Sequence, residues 1–149
     1  MVINDKLKRS FEYLRISLTD RCNYRCSYCM PKDIFNADYK YLKKSELLTF
    51  EEILSFIKAL KAFDIKKIRL TGGEPLLRRN IENLINGIKD TGINQVALTT
   101  NGSLLSFNKA KLLKQNGLDG VTISLDSLRC STNKKINPYS NLSKVIDSI

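Results

Sequence analysis

Stretches with the two-residue period of a strand and the 3.6-residue period of a helix take turns along this 149-residue chain. That alternation restricts its folds more than any other feature. Residues 12–19 (E-Y-L-R-I-S-L-T) alternate as a strand, and residues 66–70, 95–100 and 120–125 read as three more. Helical patterns separate them. Thr49 with Glu52 three residues on forms a capping box, and the helix it opens is expected to run to residue 63, with Ile53, Ile57 and Leu60 on one face. Further helices are predicted over 80–89 and 107–115, and the opening of another over 141–149. Residues 33–48 and 131–140 read as irregular connections. Strands separated by helices predict βαβ units around a parallel sheet. The expectation is one α/β domain over residues 1–149, a partial parallel (βα) barrel of about four units whose C-terminal part is absent.

Polar and glycine-rich breaks follow the strands: Thr71-Gly72-Gly73-Glu74-Pro75, then Asn101-Gly102. In α/β folds that end of the sheet carries the chemistry. The break after the first strand is Asp20-Arg21-Cys22-Asn23-Tyr24-Arg25-Cys26-Ser27-Tyr28-Cys29-Met30-Pro31, a C-x3-C-x2-C run. Three thiolates on one loop can hold three corners of an iron–sulfur cubane. The fourth iron is then open to a small molecule and can pass it an electron. Thiolate clusters suit zinc as well as iron–sulfur, so the spacing alone leaves both metals open. A structural zinc usually wants four ligands, and the one other cysteine, Cys130, lies far along the chain. Cys130 is read as a free cysteine. The chain has no histidine, which removes mixed cysteine–histidine zinc sites and an imidazole base.

Lysine and arginine number 25 against 15 acidic residues, a net charge of +10. Such an excess attracts anions. The basic residues are scattered over what read as solvated helix faces, without interleaved aromatics, so no nucleic-acid partner is expected. No apolar run approaches the ~18 residues of a membrane span, and the polar N-terminal ten residues hold no signal-peptide core. The expected compartment is the cytoplasm, where closely spaced cysteines act as metal ligands rather than disulfides. Arg15 and Arg69 fall inside strand patterns. A guanidinium in a buried sheet needs an anionic partner, and arginine suits bidentate contact with phosphate. Arg78 and Arg79 read as solvated helix-start residues or ion-pair partners. Gly72 and Gly73 allow close backbone approach to a ligand.

These segments resemble the radical S-adenosylmethionine superfamily. Within it they are most similar to the GTP 3′,8-cyclase family of molybdenum cofactor biosynthesis. The resemblance rests on Leu14-Arg15-Ile16-Ser17-Leu18-Thr19-Asp20-Arg21-Cys22-Asn23 with the cysteine loop, and on Glu46-Leu47-Leu48-Thr49-Phe50. Ile68-Arg69-Leu70-Thr71-Gly72-Gly73-Glu74-Pro75-Leu76-Leu77-Arg78-Arg79, Leu98-Thr99-Thr100-Asn101-Gly102 and Ser124-Leu125-Asp126-Ser127-Leu128 follow in order.

By this resemblance Cys22, Cys26 and Cys29 would ligate one [4Fe-4S] cluster whose open iron chelates S-adenosylmethionine. Tyr28 (through its backbone), Gly73 and Ser124 would hold S-adenosylmethionine. Arg15, Arg69 and Thr100 would face into the barrel and contact GTP. The implied reaction abstracts the ribose 3′ hydrogen of GTP with a 5′-deoxyadenosyl radical and joins that carbon to C8 of guanine, giving (8S)-3′,8-cyclo-7,8-dihydro-GTP. The implied partners are GTP, S-adenosylmethionine and an electron donor of the flavodoxin or ferredoxin type. A second copy, or a chain supplying the missing half, would complete the barrel. The family's second cluster near the C-terminus has no counterpart here. The alternatives are another radical enzyme of the superfamily, such as a peptide-modifying one, or a non-catalytic metal-binding remnant. Leu47-Leu48-Thr49-Phe50 and Leu76-Leu77-Arg78-Arg79 argue against the first of these.

Overall fold

Each β-branched or aliphatic pair in Lys67–Thr71 is separated by a polar residue, and the strand buries them accordingly: Ile68 and Leu70 are fully buried while Arg69 is not. The computed structural model describes residues 4–149; the first three residues of the polar N-terminal stretch lie outside it. Its sheet has four strands: β1 (Tyr13–Ser17), β2 (Lys67–Thr71), β3 (Gln95–Thr100) and β4 (Gly120–Ile123). They lie in the order β1-β2-β3-β4 and every pair is parallel. The register sets Arg15 beside Arg69 and Arg69 beside Ala97.

Helices α1 (Phe50–Ala59), α2 (Ile81–Asp90) and α3 (Phe107–Gln115) make the crossovers. The box that opens α1 is formed as the sequence predicts: the Glu52 amide donates to Thr49 Oγ1 at 3.1 Å, and the Thr49 amide donates to Glu52 Oε2 at 2.7 Å. The helix ends at Ala59 and tightens into a 3-10 turn over Leu60–Phe63. One amphipathic face of each crossover lies on the sheet. Ile53, Ile57, Ile81, Leu84, Ile85 and Ile88 meet Ile68, Leu70, Val96 and Leu98 in a single core. The opposite face of the sheet carries Arg15, Arg69, Thr99 and Thr122, and no described helix covers it. One face apolar and helix-covered, the other polar and open, is the layout of a partial parallel (βα) barrel.

Two short helices follow β4. The expected helix near the end of the chain is α5 (Leu142–Asp147), capped by Asn141, whose Oδ1 accepts from the Lys144 amide at 3.2 Å. The segment read as an irregular connection instead contains α4 (Cys130–Ile136). Its sequence, C-S-T-N-K-K-I, has no apolar stripe to betray a helix. No described helix is long and apolar enough to cross a membrane.

Removing a core side chain should cost most of its burial. Ile85→Ala is expected to lower unfolding free energy by about 2–5 kcal/mol, read from urea denaturation. Phe107, which is 83% exposed, should change it by no more than about 0.5 kcal/mol when cut to alanine.

Candidate cluster and nucleotide site

β1 feeds directly into the cysteine loop. Leu18 and Thr19 are buried at its root, and Thr19 Oγ1 accepts from the Arg21 amide at 3.1 Å. The Cys29 and Met30 amides both donate to the Cys26 carbonyl, at 3.0 and 2.9 Å, and close a tight turn. Arg25 organises the rest. Its Nη1 donates to the carbonyls of Cys22 and Tyr24 at 2.7 and 2.8 Å, its Nε to Phe35 O at 2.9 Å, and its Nη2 to the Tyr41 hydroxyl at 2.9 Å. Only the five-donor guanidinium fork can serve so many acceptors at once. Nothing in the spacing of the cysteines signals this role.

All three loop cysteines are free thiols; Cys22 and Cys26 are half-buried and Cys29 is exposed. Burial pushes the Cys22 thiol above its usual value, with the Glu74 and Cys29 charges adding to it. Burial, then Asp126, Cys22 and Cys29, push Cys26 up to about 11. The three sulfurs therefore sense one another, and a bound cationic metal would reverse the shift. Among the described residues no three Cys, Asp or Glu side chains close on a single metal ion. The donor set, three soft sulfurs on one loop that influence one another's protonation, has the chemistry of iron–sulfur ligands.

The glycine turn after β2 is fastened to this loop through backbone. The Gly73 amide donates to Thr19 O at 2.6 Å and the Glu74 amide to Arg21 O at 2.8 Å. A Cβ on Gly73 would stand 2.2 Å from Arg21 O; one on Gly72, at φ +153°, would stand 2.8 Å from Thr19 O. Both glycines are thus required by the approach of the cysteine loop itself. Glu74 is 1% exposed. Its Oε1 accepts from the Thr100 hydroxyl at 2.7 Å and the Leu76 amide at 3.1 Å, and its Oε2 from the Asn101 amide at 2.8 Å. Burial raises its pKa, against the pull of those three hydrogen bonds.

The end of α4 braces the loop from the other side. The amides flanking Cys26 both point to it: Arg25 N donates to Asn137 Oδ1 at 3.2 Å and Ser27 N to Ile136 O at 2.9 Å. A small cavity here is lined by Cys26, Tyr28, Asn101, Ser124, Asp126 and Asn137 among others. The Tyr28 hydroxyl donates to Asp126 Oδ1 at 3.1 Å, and the Ser124 amide donates to Thr100 O at 2.9 Å.

The structure therefore gathers Cys22, Cys26, Cys29, Tyr28, Gly73 and Ser124 at one end of the sheet. Arg15 and Arg69 stand side by side on the open face. Arg69 donates to the Tyr13 hydroxyl and, through Nη1, to Thr99 Oγ1 at 3.0 Å and Thr122 Oγ1 at 2.7 Å. Neither arginine joins an ion pair among the described residues. Two expectations change. Thr100 does not share that face: strand alternation turns its side chain to the covered side, 2% exposed and bonded to Glu74, and puts Thr99 beside Arg69. Arg78 is partly buried and joins no ion pair among the described residues. It donates to Leu18 O at 2.9 Å and Leu48 O at 3.0 Å and lies 5.0 Å over the Phe50 ring. Cys130 opens α4 as an exposed free thiol.

A parallel βα sheet with a three-thiol loop after its first strand is the layout of an α/β protein with a thiolate site at the C-terminal end of its strands. The sequence pattern of the radical SAM superfamily matches residues 16–149, and the chain belongs to that superfamily. The superfamily implies a [4Fe-4S] cluster and S-adenosylmethionine. The chain is 52% identical over 142 residues to the GTP 3′,8-cyclase of Staphylococcus epidermidis, covering 91% of this chain and 40% of that protein. It is 47% identical over 147 residues to the GTP 3′,8-cyclase of Aquifex aeolicus, covering 97% and 45%. The chain thus spans less than half the length of these curated relatives. Among solved structures, SuiB of Streptococcus suis bound to S-adenosylmethionine aligns with a TM-score of 0.73 at 19% identity, over 92% of this chain and 30% of that one. HydG, a maturase of the [FeFe]-hydrogenase, aligns at 0.72 and 17% identity, over 91% and 31%. At those identities the likeness is one of fold.

Two outcomes follow from the glycine turn. Gly73→Ala should force the cysteine loop away, cost about 1–3 kcal/mol of stability, and sharply lower the iron retained after anaerobic reconstitution; full iron retention would refute the staple. For Glu74, the raised native pKa means that the folded chain holds the proton more tightly than the unfolded one. Its favourable contribution is full below the unfolded carboxylate pKa and is lost as pH rises through the native value. Urea midpoints of the metal-free protein should therefore shift in favour of Glu74→Gln, relative to wild type, as pH goes from acidic to neutral. A pH-independent difference would contradict it.

Proposed function

We propose that this chain is the radical-generating part of a GTP 3′,8-cyclase of molybdenum cofactor biosynthesis, converting GTP to (8S)-3′,8-cyclo-7,8-dihydro-GTP. The observation that carries the reading is the three-thiol loop stapled to the Gly72-Gly73-Glu74 turn, in a chain about half identical to curated proteins of that name. Bound at the loop, the cluster and S-adenosylmethionine supply the electron and the 5′-deoxyadenosyl radical.

The chain's own residues hold and orient. Cys22, Cys26 and Cys29 are the cluster ligands in this proposal, and Arg25 and Asn137 set the loop that carries them. The Gly73 carbonyl takes no hydrogen bond among the described residues and is offered to the amino group of S-adenosylmethionine. Tyr28 and Ser124 border the small cavity beside Cys26, and in this proposal the Tyr28 backbone and Ser124 contact the rest of that ligand. Arg15 and Arg69, bonded to no carboxylate, present positive charge for the anionic nucleotide. Thr99 and Thr122 fix the Arg69 fork. Thr100 serves the substrate side through Glu74, which it holds, rather than through a free hydroxyl. An electron donor of the flavodoxin or ferredoxin type and a reducing compartment, the cytoplasm, complete the proposal.

The test is anaerobic reconstitution with iron and sulfide, then dithionite, S-adenosylmethionine and GTP, with 5′-deoxyadenosine and cyclised nucleotide measured together. Deoxyadenosine is the expected product of this chain alone. Folded, cluster-loaded protein that yields none would sink the proposal. Arg69→Ala should weaken GTP binding about tenfold or more, since a hydrogen bond to a charged group is worth about 1.5–3 kcal/mol, and leave S-adenosylmethionine affinity unchanged. Unchanged GTP affinity would remove Arg69 from the nucleotide site.

A further inference from the structure

We propose that Asn101 tunes the cluster: its side-chain amide donates a hydrogen bond to the Cys22 sulfur and raises the potential at which the cluster accepts an electron. The inference rests on the reading of Cys22 as a cluster ligand.

Asn101 leaves the end of β3, and its backbone amide and both polar side-chain atoms are committed. Its backbone amide donates to Glu74 Oε2 at 2.8 Å. Its Oδ1 accepts from the Ser103 amide at 3.0 Å and the Ser103 hydroxyl at 2.7 Å. A backbone N–H can only donate, so that bond identifies the atom as oxygen and fixes the flip of the amide. The Nδ2 group therefore has two hydrogens to place. One goes to Asn23 Oδ1 at 2.9 Å, and the other points to Cys22 Sγ at 3.8 Å. Asn23 Nδ2 in turn donates to Ser103 Oγ at 2.8 Å. The ring Asn23–Ser103–Asn101 leaves the amide no alternative orientation.

Among the described residues Cys22 Sγ has one other donor, the Tyr24 amide at 3.3 Å, which belongs to the cysteine loop and comes with it. Asn101 is different: it lies 79 residues along the chain, reaches the sulfur from another strand and is replaceable by mutation. Reduction adds negative charge that spreads onto the sulfurs. A donor aimed at one of them stabilises the reduced form more than the oxidised form, and so raises the potential.

The experiment compares wild type, Asn101→Ala and Asn101→Asp after anaerobic reconstitution, with iron content and an EPR-monitored redox titration as readouts. Asp keeps an acceptor for Ser103 and lacks the donor. At full iron content both variants should titrate at more negative potential. For Ala the reduced-to-oxidised ratio at fixed poise should fall about tenfold, equal to about 59 mV for one electron, and further for Asp. Full loading with an unchanged potential would overturn the inference and leave the cluster reading intact. Failure of wild type to take up a cluster would overturn both. Should the variants load poorly, reduced wild type carrying ¹⁵N in its asparagine side chains should show a nitrogen coupling by pulsed EPR, and its absence would overturn the inference.

Discussion

The site depends on one backbone contact: the second glycine of the turn after β2 lies against the carbonyl of Arg21, the residue before the first cysteine. The 2.2 Å that would separate a Cβ from that oxygen leaves no room for a side chain. The two adjacent amides, Gly73 and Glu74, bond to Thr19 O and Arg21 O. The loop after β1 and the loop after β2 are therefore one unit. Glu74 extends the unit to β3 by taking the Thr100 hydroxyl and the Asn101 amide. A carboxylate buried without a cation is unfavourable unless its oxygens are bonded, and here they are. Three strand ends are thus locked together before any ligand arrives, and this is the preorganisation that a metal-binding loop on a surface would otherwise lack.

Two faces of one sheet divide the remaining work. Because side chains alternate along a strand, the sequence Ile68-Arg69-Leu70 sends its aliphatic members to the helices and its arginine to the open side. Parallel pairing in register then repeats the assignment on β1, so Arg15 and Arg69 become neighbours without any contact between them being specified. The core fixes the register, since a one-residue slip would bury the arginines. The stability of the helix side and the electrostatics of the open side are consequences of the same pairing.

How far the sequence discloses this depends on the range of the interaction. The strand and helix alternation, the Thr49–Glu52 box and the cysteine loop are local patterns, and they appear where the sequence puts them. Which way Thr100 faces is not legible in the sequence: two adjacent threonines read alike, and only the pleat of β3 gives Thr99 to Arg69 and Thr100 to Glu74. Helix α4 is invisible because its seven residues have no apolar period. It exists through tertiary contacts, with Asn133 and Asn137 nearly buried and the Arg25 and Ser27 amides bonded to its end. Arg25 and Arg78 hide for the same reason. Their partners are backbone carbonyls distant in sequence or set by loop shape, and composition carries no trace of a carbonyl's direction.

Those arginines also carry charge that no carboxylate cancels. Arg15, Arg21, Arg25, Arg69 and Arg78 all lie at or beside the cysteine loop and the open face, and none is in an ion pair among the described residues. Arg21, Arg25 and Arg78 bond neutral carbonyls, and Arg69 bonds hydroxyls. A neutral acceptor satisfies the donor geometry but leaves the charge uncancelled. Carboxylates do pair with lysines, yet they do so away from this site, as in Lys66 with Glu12 and Lys109 with Glu82. The chain carries a net charge of +10. Part of it stands on the open face of the sheet, where Arg15 and Arg69 have no carboxylate partner among the described residues. The hydrogen bonds that Arg69 makes to Thr99 and Thr122 thus hold that charge in place without cancelling it.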